Sequence, residues 1–507
     1  MRIVLDNWQP YYIIYLLKKT CQEIPIDLKK EKEMNKIDKI NLPLATDSYK
    51  LTHHRMYPEE TEKVFSYFEA REGAEFPDTI FFGLQYILKK YLVGKVVTKE
   101  DIDTAEQVAL KHFGQNYFDR ERWDYILEEH DGRLPVEIKA VPEGLKVPVS
   151  NVMMTIVNTD PKCYWLTNHL ETILSQIWYP CTVATGSNAV REFLKSALER
   201  TSDNMDSLNF MLHDFGYRGV SSVESARIGG AAHLINFLGT DTIAALEFIQ
   251  QYYSTPGKEE EVRGFSVAAS EHSVMTSLGR VREHTVVENI FKQYPEGIVS
   301  IVSDSYNVYD FVENISKQYM HIILNRDGKT VFRPDSGEPI EVLKQLLSIL
   351  DAKFGSTINS KGYRVLNPKV GLIWGDGIDI HDIKAIINYF EEAGWAADNF
   401  VFGMGGGLLQ RVNRDTQKFA FKCSAQKRRG VWWEIYKQPI HGNKSSKQGR
   451  LILTYDNEEG FVTQTQDDAT LSPEVTRTVF KNGSLIIDMD FDEVRENMRF
   501  TCGGDSK

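Results

Sequence analysis

The chain has 507 residues, 42% of them hydrophobic and 26% charged, which is ordinary for a globular protein that buries a large core, with a length prior of about three domains. A net charge of −12 and a pI near 5.6 provide no positive field to draw in a polyanion, which excludes nucleic acid as a natural partner but not a small local anion site. Five cysteines, Cys21, Cys163, Cys181, Cys423 and Cys502, are scattered without a CxxC, so a zinc site or disulfide framework has no support and a reducing cytoplasm fits; the apolar run Tyr11 to Leu17 is too short to span a membrane.

Residues 1–40 differ in texture from the rest, with that apolar run followed by Lys29-Lys30-Glu31-Lys32-Glu33. Asp6 interrupts the front and no small-residue cleavage pattern follows, so a signal peptide does not fit. Met34 is an alternative start, which would make the first 33 residues a non-native extension. Ala45-Thr46-Asp47-Ser48-Tyr49-Lys50 is polar and aromatic without clean periodicity. Val64 to Glu69 alternates like a strand and leads to Arg71. Thr98 and Asp101 are placed to cap a helix carrying Ala105, Val108, Ala109 and Phe113 on one side. Val136 to Val149 reads as short strands split by Pro142 and Pro148, so this first region is mixed α+β.

From Trp165 the pattern predicts helices (Trp165 to Gln176, Ala189 to Arg200, Thr242 to Tyr253, Val281 to Tyr294, Pro339 to Phe354) alternating with short apolar strands (Ile298 to Val302, Thr330 to Phe332, Val370 to Trp374, Asn399 to Phe402). Such alternation implies a parallel sheet with crossover helices, and the number of units suits an α/β barrel. Beyond Phe419 short strands return, with a polar basic loop at Asn443 to Lys447. The reading is an irregular α/β barrel over 165–419 and a discontinuous α+β domain from 41–164 plus 420–500.

Two stretches in the barrel share one design: Val370 to Trp374 followed by Gly375-Asp376-Gly377, and Asn399 to Phe402 followed by Gly403-Met404-Gly405-Gly406-Gly407, some 30 residues apart. Each is a strand, a glycine turn and a helix start, a geometry that brings bare N–H groups to an anion. Arg414 follows, with a charge suited to phosphate. His213-Asp214-Phe215-Gly216-Tyr217-Arg218-Gly219 gathers His, Asp, aromatics and Arg around glycines, either as a capped turn or as a stacking and phosphate-holding loop. Asp241 precedes a helix and either caps it or accepts a substrate amide. Glu271-His272 places an imidazole where it serves as a satisfied polar residue, a base or a phosphoryl acceptor. Asp304 and the segment Arg333-Pro334-Asp335 end strands, positions suited to sugar hydroxyls, magnesium or phosphate, or simply to turns. There is no G-x-x-x-x-G-K-[ST] and no G-x-S-x-G, so neither a P-loop nor an acyl-transfer elbow is present.

These pieces in this order resemble the nicotinamide phosphoribosyltransferase family, from about Leu42 to Arg499, through Ala45 to Lys50, Phe82-Gly83-Leu84-Gln85-Tyr86, Cys163 to Asn168, His213 to Ser222, Glu271-His272-Ser273, Arg333 to Gly337, Gly405 to Gln410 and Val479 to Gly483. The resemblance implies a homodimeric pentosyltransferase with interface active sites. It would join nicotinamide to 5-phosphoribosyl 1-pyrophosphate in NAD salvage, with Mg2+ as cofactor and ATP as co-substrate. It implies His272 as the phosphorylated residue oriented by Asp304, and Asp335 on the ribose hydroxyls. Nicotinamide would lie between Phe215 and Tyr49 of the other subunit, with Asp241 on its amide and Ser300 nearby. Arg218, Arg333, Gly375, Asp376, Gly405, Gly406 and Arg414 would line the phosphate and ribose end, and Arg71, His213 and Lys422 the phosphate or pyrophosphate. Two departures stand out: Gly371 where the family tends to carry Arg, with Lys369 on the same strand face as a substitute charge, and Met404 where a small hydroxyl residue is usual. The alternatives are a nicotinate-specific transferase, which Asp241 argues against, and a non-catalytic nucleotide-binding protein, which the presence of His272, Asp304 and Asp335 argues against.

Overall fold

The structure, a computed structural model, describes residues 40–255, 257, 261–440, 446–468 and 473–501. The apolar run Tyr11 to Leu17, the alternative start at Met34 and most of the basic loop near Asn443 lie outside the described residues. The chain forms two compact units, one from residues up to 182, 252–256 and from 413 onward, the other from 183–251 and 257–412.

The first unit is built on a seven-stranded antiparallel sheet in the order Val431–Glu434, Ala420–Arg428, Thr61–Glu69, Val152–Asn158, Val136–Ala140, Arg477–Lys481, Ser484–Leu485. Its third strand, Thr61–Glu69, is buried nearly throughout, with Val64, Tyr67 and Phe68 at most 1% exposed. The return of the chain at Tyr252–Tyr253 is held by Glu143, a buried carboxylate that accepts from Gly83 N, Gln85 N and Tyr253 Oη at 3.0, 2.6 and 2.8 Å. Burial raises that carboxyl above its ordinary range, and the three donors counter the rise. The helix Lys99–Phe113 starts with the capping box formed by Thr98 and Asp101. Ala105 and Ala109 are buried on it as the pattern predicts, but Val108 is exposed, because it lies one step off the narrow buried stripe.

The second unit holds a seven-stranded all-parallel sheet. Its strands are β1 (Leu212–Asp214), β2 (Gly239–Thr240), β3 (Ala268–Ala269), β4 (Glu296–Val302), β5 (Asp327–Arg333), β6 (Val370–Trp374) and β7 (Phe400–Met404), arranged β2-β1-β7-β6-β5-β4-β3. The two ends of the sheet approach through the parallel bridge Gly239 to Phe265, three residues before β3. Phe332, Leu372, Trp374, Phe400 and Phe402 point to the helices and are at most 1% exposed; Phe390 on Ile380–Glu392 packs its ring 4.7 Å from that of Phe400. The strand register puts the alternate set on the concave side: Ser300 beside Val331, Val331 beside Gly371, Ile373 beside Val401, Gly403 beside His213 and His213 beside Gly239. This is the α/β barrel architecture that the alternating pattern predicts, accompanied by a discontinuous α+β unit.

Two helices depart from the sequence reading. Trp165 to Gln176 is two single turns, Leu166–His169 and Glu171–Leu174, followed by a 3-10 turn, and the next helix begins at Trp178 rather than Ala189. Pro180 sits in the first turn of Trp178–Thr201, where its missing N–H has no intrahelical partner to lose.

Candidate active site

The concave face of the parallel sheet is organised around Phe215. A Cβ on Gly403 would lie 2.0 Å from Phe215 Cε2, and one on Gly375 would lie 3.0 Å from it. Both glycine strands therefore leave room for this ring. Gly239 does the same for His213, whose ring Cε1 is 2.7 Å from the position of a Cβ there. The second glycine unit leads into Gly406–Leu409, a single turn, so it lacks the long helix that would give an N-terminal anion site its full dipole. Gly405 and Gly406 lie beside the Phe215 loop: a Cβ on Gly405 would stand 3.4 Å from Phe215 O, and Gly406 N faces Gly219.

Asp241, one residue beyond β2, accepts from Ser266 Oγ through Oδ1 at 2.6 Å. His213 is held below its ordinary value by burial, opposed by the nearby Asp241 charge, so it enters this pocket neutral. Ser300 is buried in β4 on the concave face. Arg333 ends β5 on that face, and its Nε is buried without a partner among the described residues. Arg218 lies exposed in the Tyr217–Gly219 turn.

Three successive strand ends supply the remaining groups. His272 begins the turn after β3, Asp304 follows β4, and Asp335 with Ser336 follows β5. His272 Nε2 lies 2.9 Å from Asp304 Oδ1. Glu271 does not share in this contact; its carboxylate takes the hydroxyl of Ser273. The second Asp304 oxygen accepts from Ser336 Oγ at 2.5 Å. Backbone bonds brace the three ends: Ser270 N to Ser300 O at 2.9 Å and Ser303 N to Arg333 O at 2.9 Å. Asp376, after β6, has its carboxyl raised by partial burial and by the charges of Asp335 and Asp304. Glu283, at the start of Glu283–Gln293, is raised by burial and by Asp304 while His272 and Arg280 oppose the shift. Ser336 and Glu283 receive no role in the sequence reading, because nothing in their local pattern reveals that strands 30 or more residues apart end side by side.

The Gly371 departure has a structural counterpart. Lys369 does not fill the gap; its Nζ donates to Arg326 O at 2.7 Å. Lys329, on the neighbouring β5, lies across Gly371 instead, its Cε 2.6 Å from where a Cβ would be, and burial holds its ammonium below the ordinary value. Met404 is buried and packs under Gly407.

Tyr49, Arg71, Arg414 and Lys422 belong to the first unit. Tyr49 is 57% exposed, with its ring edge-on to His53 at 5.0 Å. Arg71 follows Thr61–Glu69 and donates from Nε to Lys418 O at 2.9 Å, while Lys422 pairs with Tyr67 in the adjoining strand. Burial lowers the Lys422 ammonium; the Glu171 carboxylate opposes the shift, and Lys437, Arg71 and Arg414 add to it, so three further cations act on Lys422 beside one carboxylate. Lys437 is the member that sequence reasoning missed. Among the described residues one group of metal-type ligands occurs, His130, Asp160 and Cys163, but Asp160 is already taken up by Tyr125 Oη, His130 Nε2 and Lys162 N.

Phe215, His213 and Arg333 on the concave face, with Asp304, Asp335 and Asp376 after consecutive strands, suit a phosphoribosyltransferase. The chain matches the Nicotinate phosphoribosyltransferase (NAPRTase) family over residues 210–484 and the Nicotinamide phosphoribosyltransferase, N-terminal domain over residues 41–138. It is 45% identical over 465 residues to a nicotinamide phosphoribosyltransferase of Xanthomonas campestris, covering 90% of this chain and 97% of the relative. It is 34% identical over 503 residues to one of Acinetobacter baylyi, covering 91% and 97%. Two solved structures share the fold: nicotinate-nucleotide pyrophosphorylase from Pyrococcus furiosus (TM-score 0.58, 14% identity, 91% of this chain and 95% of that one) and human nicotinic acid phosphoribosyltransferase (0.53, 13%, 90% and 93%). The chain belongs to the nicotinamide phosphoribosyltransferase family. Among the described residues no helix is long and apolar enough to cross a membrane.

Proposed function

We propose that this protein joins nicotinamide to 5-phosphoribosyl 1-pyrophosphate, giving nicotinamide mononucleotide and pyrophosphate in NAD salvage, with ATP hydrolysis coupled through a phosphoryl group on His272. The observation that carries the coupling is the His272–Asp304 pair at 2.9 Å, one strand end away from Asp335. A carboxylate only accepts, so the proton rests on Nε2 and Nδ1 keeps a lone pair to attack the γ-phosphorus of ATP, with ADP leaving. In the transfer step the pyridine nitrogen forms a bond to the anomeric carbon as the bond to pyrophosphate breaks and its electrons leave with that group. The sugar carries positive charge at the midpoint, and the carboxylates of Asp335 and Asp376 are placed to oppose it.

Asp335 and Asp376 fit Mg2+ by their chemistry: both are hard oxygen donors, and Asp335 helps to raise the Asp376 carboxyl. Bound there, Mg2+ would neutralise the departing pyrophosphate. Arg333, with its unpartnered Nε, takes the ribose-phosphate together with Arg218 and the Gly375, Gly405 and Gly406 turns. His213 closes the side of the ring pocket. Arg71, Arg414, Lys422 and Lys437 form the phosphate or pyrophosphate set of the other unit, where the cations acting on Lys422 outnumber the one carboxylate, Glu171.

The nicotinamide ring stacks on Phe215, and Asp241, one of whose oxygens is held by Ser266, accepts the amide N–H; a carboxylate substrate would be repelled there. The exposure of Tyr49 supports its use by a second subunit, as a lid on that subunit's ring pocket in a homodimer. The buried Cys163 thiol, pushed up to about 12 by burial, and the Cys423 thiol, pushed up to about 11, suit a reducing cytoplasm. Initial rates with nicotinamide and nicotinate test the substrate assignment. The native protein should prefer the amide, and Asp241→Asn should narrow the preference by about tenfold or more. A native preference for the acid would make Asp241 a helix-end residue only.

A further inference from the structure

We propose that Ser336 is a positioning residue that sets the tautomer and aim of His272 through Asp304, and that ties this setting to the filling of the sugar site. The proposal rests on the reading of His272 as the phosphoryl carrier.

The Asp304 side chain is 7% exposed and uses both oxygens: one faces His272 Nε2, the other accepts the Ser336 hydroxyl. His272 itself is 46% exposed, and among the described residues its ring is hydrogen-bonded to Asp304 alone, so it is held from one side. A carboxylate free to rotate about its last bond would present either oxygen, in or out of the imidazole plane. Fixing its second oxygen with Ser336 removes that freedom and fixes the ring that leans on the first. With the proton held on Nε2, Nδ1 is the bare nitrogen.

Ser336 is itself held by its turn. Gly337 has φ +99°, and a Cβ there would lie 2.9 Å from Val342 Cγ2, so the residue after Ser336 must be glycine for Pro339–Phe354 to start where it does. Asp335, immediately before, is the residue assigned to the ribose hydroxyls. Any adjustment of Asp335 on binding 5-phosphoribosyl 1-pyrophosphate is passed to the next residue along the chain, hence to Asp304 and His272. The chain Ser336–Asp304–His272 thus spans the ends of three adjacent parallel strands and connects sugar recognition to phosphoryl transfer.

The test uses the full chain with 15N-labelled histidine, the His272 signal being identified by its loss in His272→Gln. The native protein should show one protonated Nε2 and one bare Nδ1; Ser336→Ala should show a tautomer average, and Ser336→Thr, which keeps the hydroxyl, should restore the native pattern. In parallel, acid-labile label transferred from [γ-32P]ATP should appear about tenfold more slowly in Ser336→Ala. The nicotinamide KM should be unchanged, and the response of labelling to 5-phosphoribosyl 1-pyrophosphate should be lost. A Ser336→Ala protein with the native tautomer pattern overturns the proposal. A native protein that takes no label overturns the phosphoryl-carrier reading instead, and the tautomer comparison still decides the role of Ser336 on its own.

Discussion

At the ends of the parallel strands, burial and then Asp335 and Asp304 raise the carboxyl of Asp376; in the other unit, burial and then Lys437, Arg71 and Arg414 lower the ammonium of Lys422 against the pull of Glu171. Each unit thus gathers like charges that repel one another, and the two gatherings have opposite sign. Neither is what folding alone would choose, because like charges in a partly buried setting cost stability. Their chemistry separates two tasks: carboxylates for a metal ion, sugar hydroxyls and positive charge at the anomeric carbon, cations for phosphates. A net charge of −12 hides this division, which is why composition excludes nucleic acid yet leaves room for a polyphosphate substrate.

The largest effect should come from removing the shared member of the acidic set. Asp335→Ala should lower kcat/KM by about 1,000-fold, about 4 kcal/mol of transition-state stabilisation, and raise the Mg2+ concentration needed for half-maximal rate. Turnover within about threefold of native would show that the strand-end carboxylates do not act as a set.

A second acid of the same unit behaves differently. Asp214 is fully buried, accepts from Gly216 N at 2.7 Å and has its carboxyl pushed up to about 6 by burial, with Asp241 adding to the rise. Its folded value lies above its unfolded one, so the native state binds the extra proton, and stability falls as pH rises from about 4 through about 6. The cost at neutral pH is about 3 kcal/mol. Asp214→Asn keeps an acceptor for Gly216 and removes the charge, so urea unfolding from pH 4 to pH 8 should lose that decline. An unchanged pH profile would assign the decline to other groups.

On the basic side, Lys422→Ala and Lys437→Ala should each raise the KM for 5-phosphoribosyl 1-pyrophosphate or ATP by about tenfold, about 1.4 kcal/mol, with less difference at 1 M salt. Equal effects of both substitutions on the nicotinamide KM would break the division of labour. The smallest effect belongs to Val108→Glu, which should change stability by no more than about 0.5 kcal/mol because the side chain is exposed, whereas Ala105→Glu should prevent proper packing.

What the sequence revealed followed the length and purity of each pattern. Pro339–Phe354 and Val370–Trp374 match the reading end to end, the first because proline marks its start and a broad apolar stripe its length, the second because five apolar residues between Lys369 and Gly375 are buried on both faces. Gly239–Thr240 and Ala268–Ala269 are two residues each, too short for any period to register, although they place Asp241 and His272. The helix at Trp178 was masked by Pro180, and Val108 by a stripe narrower than its apolar character suggests. Within the site, residues such as His213, Phe215 and His272 were legible because they stand in unusual clusters. Lys329, Ser336 and Lys437 were not, since each matters through a neighbour far off in sequence: Gly371, Asp304 and Lys422.

The most direct test of the account is formation of nicotinamide mononucleotide from nicotinamide, 5-phosphoribosyl 1-pyrophosphate and Mg2+, with and without ATP, by the native chain and by His272→Ala. The account predicts a native rate stimulated by ATP and a variant that still makes product but no longer responds to ATP. Product formation by the native chain with no response to ATP would contradict the role assigned to the His272–Asp304 pair.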